Sequence, residues 1–120
     1  MSELGDLIEA ASLSPGKSGL LRAVIRAAED SVEPEEAARW LATVEPAQYD
    51  VDARVMASEF LDDGGETPAA LRWVTGDEPK LCVARARILL DAGRTGEAAE
   101  AYSAGVTADA SLRDEALDAA

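Results

Sequence analysis

The stretch LCVARARILLDAGRTGEAAEAYSAGVTADA, Leu81–Ala110, has the pattern of two amphipathic helices joined by a tight turn. Apolar residues recur at helical spacing on both sides of Gly93. Pro79 suits the first turn of the first helix, where a missing N–H costs nothing, and Thr95 is placed to cap the second helix. Gly93 suits the left-handed turn that ends many helices. The stretch therefore predicts a helical hairpin.

The same arrangement recurs earlier in the chain. The segment ARWLATVEP ends at Pro46 and the segment LRWVTGDEP ends at Pro79, with the tryptophan six residues before the proline in each. Trp40 and Trp73 are 33 residues apart, and Tyr102 follows Trp73 after 29 residues. Three further sets of positions repeat in register, namely Ala37, Ala70 and Ala99, then Val24, Ala57 and Ala86, then the turn residues Ser31, Gly64 and Gly93. A period of this length is typical of helical hairpins that stack, because one hairpin cannot bury both of its faces.

We therefore expect an all-α fold, an α-solenoid of about three antiparallel helical hairpins with an extra helix at each end. The hairpins are predicted over roughly 18–46, 50–79 and 79–110, and the capping helices over 2–13 and 109–119, in a single domain that spans 1–120. Asp50 or Asp52 is expected to cap a helix through Leu61, and Asp109 to cap the last helix.

Composition favours a folded, acidic, helical protein. Hydrophobic residues make up 48% of the chain, which excludes a disordered tail, and aromatic residues only 4%, so the core is expected to be packed with aliphatic residues. The formal net charge of −13 opposes binding to nucleic acids and to anionic membranes. The acidity is typical of a soluble surface, and attraction of a basic partner is the alternative.

The repeated residues resemble the tetratricopeptide repeat. In the last unit the matching positions are Ala86, Leu89, Gly93, Ala98, Tyr102 and Gly105, and in the middle unit Ala57, Phe60, Gly64, Ala69, Trp73 and Gly76. Cys82 stands where the family has Trp, Arg85 stands where it has Leu, and the first unit is the weakest match. The style of the sequence is also similar to the N-terminal repeat arrays of bacterial AAA-type ATPases.

This resemblance implies a protein–protein interaction module that holds a peptide or helix of a partner in a concave groove. Carried over residue by residue, it places Leu21, Arg54, Ser58, Lys80, Val83 and Arg87 at that groove. Arg54 and Arg87 have an alternative role, pairing with nearby carboxylates such as Asp50, Glu59 or Asp91. An alternative for the whole chain is an N-terminal regulatory, recruitment or oligomerisation domain of a larger ATPase. Weak self-association is possible for any repeat array with open ends.

No pattern in the sequence predicts catalysis, a cofactor or a metal site. The chain has no histidine, so a Ser-His or Cys-His dyad and the usual zinc ligand sets are missing. The stretch ASLSPGKS, Ala11–Ser18, loosely fits a phosphate-binding loop through Lys17, but it lacks the preceding strand that such a loop requires. A single cysteine, Cys82, and the absence of a leader-like or membrane-spanning segment predict a cytoplasmic protein.

Overall fold

The computed structural model describes residues 3–114, and within that range it contains α-helices and two short 3-10 turns but no strand. The seven helices are α1 (Glu3–Leu13), α2 (Ser18–Glu29), α3 (Glu35–Leu41), α4 (Val51–Asp63), α5 (Thr67–Trp73), α6 (Pro79–Asp91) and α7 (Thr95–Ala108). The 3-10 turns cover Pro46–Gln48 and Ala110–Leu112. The all-helical prediction is confirmed for the described residues.

The starts of α4 and α6 agree with the expected Asp50 cap and first-turn proline, whereas Thr95 is the first residue of α7 rather than its cap, and no side chain caps that helix. Asp50, rather than Asp52, is the residue before α4, and its side chain accepts a hydrogen bond from the N–H of Ala53 at 2.8 Å. This bond is the main reason why the pKa of Asp50 is lowered. Pro79 is the first residue of α6, and the side chain of Glu78 before it accepts from the N–H of Lys80 at 3.0 Å.

Two of the hairpin turns have the same backbone geometry. After α4, the N–H of Glu66 donates to Leu61 O and that of Gly65 donates to Asp62 O. After α6, Arg94 and Gly93 donate in the same way to Leu89 O and Leu90 O. This paired pattern is the Schellman motif, which needs a left-handed residue. Gly65 and Gly93 supply it with φ of +80° and +79°, so the structural equivalent of Gly93 is Gly65 and not Gly64.

The helices pack as neighbouring pairs around a central row. The most extensive pairings are α6 with α7, α4 with α5 and α1 with α2. Between pairs, α2 packs on α4 and α4 packs on α6, so α4 lies in the middle of the row. The described part is elongated, with extents of 45 × 24 × 20 Å. The largest completely buried side chain is that of Trp73, which lies in the core with Leu21, Ile25, Leu41, Leu61 and Leu81.

The predicted C-terminal helix is corrected where the structure describes it. Instead of a helix from Asp109, the chain forms the short 3-10 turn Ala110–Leu112. The carboxylate of Asp109 accepts hydrogen bonds from the N–H and the hydroxyl of Ser111, which closes a local turn. The remainder of the predicted helix, 115–119, lies outside the described residues. None of the helices within residues 3–114 combines the length and the apolar character needed to cross a membrane.

Candidate functional site

Three of the six residues expected at a groove are inside the protein. Leu21 and Ser58 have no exposed surface, and Val83 is 4% exposed. The hydroxyl of Ser58 donates to Val55 O at 2.7 Å, so its polar atom is satisfied within its own helix. The three residues belong to α2, α4 and α6, which form the central row and are covered on more than one face. The structure therefore corrects the expected position of these three side chains from groove to core.

Arg54 is tied to backbone oxygens rather than to a carboxylate. Its Nε donates to Trp73 O at 3.2 Å and its Nη2 donates to Thr75 O at 2.8 Å. Trp73 is the last residue of α5 and Thr75 lies just beyond it, at the end where helices leave carbonyl groups without partners. Arg54 thus joins α4 to the C-terminal end of α5, and neither role expected from the sequence describes its contacts.

Lys80 and Arg87 are exposed and lie in ion pairs on the surface. Lys80 Nζ is 3.3 Å from a carboxylate oxygen of Asp52. Arg87 is 2.9 Å from Asp114 and 3.9 Å from Glu59, the second of which is a carboxylate named as its alternative partner. Exposed pairs of this kind contribute little to stability. These two side chains are therefore accessible, and both belong to α6.

A different surface has the shape of a binding site. We call it the α3–α5 groove, because α3 and the start of α5 line it together with the second half of α4 and the end of α2. Its volume is about 750 Å³. The apolar residues that line it are Ala28, Pro34, Ala38, Ala42, Met56, Phe60, Leu61 and Ala69. Met56 and Phe60 are partly exposed, so the groove offers apolar surface to a ligand.

The rim of the groove is acidic. Five carboxylates line it, those of Glu29, Glu35, Glu59, Asp63 and Glu66, and all five residues are exposed. One cation, Arg39, lies among them. Within residues 3–114, only Glu59 of the five forms an ion pair, the long contact to Arg87. The groove therefore combines an apolar floor with an excess of negative charge.

A second acidic feature lies at the end of α4. Partial burial, the hydrogen bond and charge of Asp91 and the charge of Asp63 together raise the pKa of Asp62 to about 6, with burial the largest cause. No lysine or arginine of the described chain forms an ion pair with Asp62 or Asp91. The acidic ends of α4 and α6 are thus adjacent, and Asp63 connects them to the groove rim.

Several of these acids lie at helix starts and hairpin turns, where acidic residues are common because they favour the helix dipole. Glu35 is indeed in the first turn of α3, and Glu66 directly precedes α5. The sequence does not indicate that Glu35 and Glu66 line one groove together with the end of α4. The available signal was the combination of acidic turns with Phe60, the only phenylalanine of the chain.

For the two remaining candidates, the segment Ala11–Ser18 and Cys82, the structure shows no arrangement typical of a ligand site in the described part of the chain. Ala11–Ser18 connects α1 to α2, and no strand precedes it in the described part of the chain. Cys82 is 3% exposed and lies 3.5 Å from Nη2 of Arg85. Among residues 3–114, no three cysteine, aspartate or glutamate side chains are grouped so that they could hold a metal ion. Comparison of the chain with protein-family models, with curated proteins and with solved structures found no match, so the groove and its charges are the basis for a functional proposal.

Proposed function

We propose that this chain is a protein–protein interaction module, a short helical-repeat array of the tetratricopeptide type that holds a segment of a partner protein. The single observation that carries the proposal is the α3–α5 groove, with partly exposed Met56 and Phe60 on its floor. Grooves with an apolar floor and polar edges are a common way to bind an amphipathic helix. The binding surface in this proposal is the α3–α5 groove, which is lined by none of the six residues expected from the resemblance. Arg87 only neighbours it, through its contact with Glu59 at 3.9 Å.

Two features support the repeat architecture within this proposal. The row formed by α2, α4 and α6 places the first helix of each predicted hairpin beside the next. The turns after α4 and α6 share one Schellman geometry, which is what repeated units of one kind would have. A row of hairpins leaves grooves between successive second helices when these helices are short, and α3 and α5 each have seven residues.

Site-specific cross-linking in a lysate of the protein's own cells tests the proposal. A photoreactive amino acid is placed at Ala42, which is exposed and lines the groove. A partner in the groove is expected to cross-link at this position. Excess unmodified protein is expected to compete for that partner, whereas excess Phe60→Glu protein, whose groove floor carries a charge, is not.

The matched control carries the same photoreactive group at Ala99. Ala99 is also exposed but lies on α7, outside the groove. A partner that cross-links equally from both positions, or that Phe60→Glu protein competes away as well as the native protein does, would contradict groove binding. Circular dichroism establishes that the Phe60→Glu protein is folded.

A further inference from the structure

The charges around the groove restrict what its partner can be. Five carboxylates and one guanidinium line the groove, and four of the carboxylates have no ion-pair partner in the described chain. An acidic segment placed there would be repelled by these carboxylates. A neutral segment would bury them without an opposite charge to offset the loss of hydration. A segment with cations beside its apolar residues would pair with them instead.

We propose that the occupant of the α3–α5 groove is a cationic amphipathic helix of another protein, with apolar residues on one face and Lys or Arg on both flanks. This inference rests on the proposed function and names its partner class. Apolar side chains at helical spacing would contact Met56 and Phe60, while the flanking cations would reach carboxylates of the rim such as Glu35 on α3 and Glu66 before α5. The length of α3, seven residues, corresponds to about 10 Å, so about two turns of the partner helix lie in the groove.

A second copy of this chain is a poorer occupant. The formal net charge is −13, with 24 acidic and 11 basic residues, so two copies repel each other. The groove rim has the same sign as this overall charge. Charge complementarity therefore favours a basic partner over self-association.

Binding of designed peptides tests the inference directly. Three labelled peptides of about 14 residues are compared by fluorescence anisotropy at about 150 mM salt, where the Debye length is about 8 Å. One has leucines at helical spacing flanked by lysines, the second has glutamates in place of the lysines, and the third is a scrambled lysine peptide without an apolar face. We expect the first to bind, the second not to bind, and the third to bind at least about tenfold more weakly.

A pair of matched variants separates the groove from the overall charge. The groove variant Glu35→Gln/Asp63→Asn/Glu66→Gln removes three rim charges, and we expect about tenfold weaker binding of the lysine peptide. The control Glu9→Gln/Asp77→Asn/Glu100→Gln removes the same charge from exposed positions outside the groove, and binding is expected to stay within about twofold. Amide chemical-shift changes on peptide addition should centre on α3 and the second half of α4.

Several outcomes would overturn the inference. The first is that the groove variant and the control variant weaken binding of the lysine peptide equally. The second is that the scrambled peptide binds as tightly as the lysine peptide, or that the glutamate peptide binds. The third is that light scattering shows a dimer which the groove variant dissociates. A partner that cross-links at Ala42 through a neutral or acidic segment would leave the proposed function intact and refute this partner class. If the lysine peptide binds specifically but no partner cross-links at Ala42, the inferred chemistry of the groove holds and the proposed function fails.

Discussion

Gly105 lies where α7 crosses α6, and it has no room for a side chain. A Cβ at this position would be 2.8 Å from Cγ2 of Val83 and 3.0 Å from the carbonyl oxygen of Pro79. The backbone oxygen cannot move away without disturbing the start of α6, so the two helices would have to separate. We expect Gly105→Ala to lower the free energy of unfolding by about 2 kcal/mol, measured by urea denaturation.

Gly96 provides a control on the same helix. Apart from the chain neighbours of Gly96 and the adjoining backbone of its own helix, no atom lies within 4 Å of the place that a Cβ would take. Alanine at this position removes the conformational freedom of glycine in a helix, so Gly96→Ala should be neutral or stabilise by up to about 1 kcal/mol. Equal destabilisation by both substitutions would mean that close helix crossing at Gly105 is not the cause.

At the residue scale, sequence reasoning identified small residues better than binding residues. Gly105 was expected to be small, and its close contacts explain why. Leu21 and Ser58 were expected to face a ligand, but both are completely buried. Spacing along a helix identifies which residues share a face, whereas it does not indicate how many faces the neighbouring helices cover. The surface exposure of a residue therefore depends on tertiary packing that spacing does not encode.

The two tryptophans illustrate the same limit. Trp40 and Trp73 occupy equivalent positions in the repeated pattern. Nε1 of Trp40 donates to Ser12 Oγ at 3.0 Å, whereas Nε1 of Trp73 is buried without a hydrogen-bond partner in the described part of the chain. Trp40 meets the N-terminal helix α1, while Trp73 lies in the central core beside Tyr49. Equivalent sequence positions thus have different surroundings, because one is near the end of the row and the other near its middle.

At the scale of the elements, Arg54 is expected to matter for stability because it connects α4 to the end of α5. Removing its guanidinium in Arg54→Met leaves the carbonyls of Trp73 and Thr75 without these donors. Because the bonds come from a charged group and the bond to Trp73 is partly buried, we expect a loss of about 1–2 kcal/mol in urea denaturation. The matched variant Arg87→Met breaks only exposed ion pairs and should cost at most about 0.5 kcal/mol. A larger loss for Arg87→Met than for Arg54→Met would contradict this assignment.

The contact between the ends of α4 and α6 should make stability depend on pH. The pKa of Asp62 is raised to about 6 from an ordinary value of 3.8, so the folded protein binds a proton that the unfolded chain releases. The resulting stabilisation is complete below about pH 4 and is lost as the pH rises through about 6. Asp62→Asn should therefore be more stable than the native protein at pH 7 by roughly 0.5–1 kcal/mol, since the pair is partly solvated.

The measurement is the free energy of unfolding of both proteins between about pH 4 and 8. Their difference, variant minus native, should grow as the pH rises across the window from 3.8 to about 6. Comparison of the two proteins cancels the opposite contribution of Asp50, whose pKa is lowered. A difference that is constant with pH would show that Asp62 does not retain its proton in the folded state.

Most helix positions could be predicted from the sequence, but their ends could not always be. Prolines and glycines indicated the breaks near Pro46, Gly64 and Gly93, since these residues have strong backbone preferences. The left-handed residue after α4 is Gly65 rather than Gly64. Either glycine could adopt a positive φ, and the hydrogen bonds of the turn determine that Gly65 does so. The acids of the groove rim were visible in the sequence, whereas their convergence depends on the packing of three helices.

At the scale of the whole molecule, the arrangement of the helices decides where a partner can bind. Two short helices, α3 and α5, stand beside the longer α4, and the groove lies between them. Helix lengths were visible in the sequence only as approximate spacings between breaks. A groove depends on the difference in length and packing between neighbouring elements, which is why residue matching to a repeat family pointed to a different surface.

The overall charge should also act on the molecule as a whole. The chain has a formal net charge of −13, and residues 3–114 measure 45 × 24 × 20 Å, so many acidic side chains lie within one Debye length of others at low salt. The Debye length is about 30 Å at 0.01 M and about 10 Å at 0.1 M, so added salt screens repulsion across the folded protein. The unfolded chain is more expanded, so screening of its charges stabilises it less than the folded protein.

We therefore expect the free energy of unfolding to rise by about 1 kcal/mol between about 0.01 M and 0.3 M NaCl and then to level off. KCl should give the same curve if screening is the cause, whereas a decrease with salt would mean that the exposed ion pairs, such as Arg22–Asp50, outweigh the repulsion.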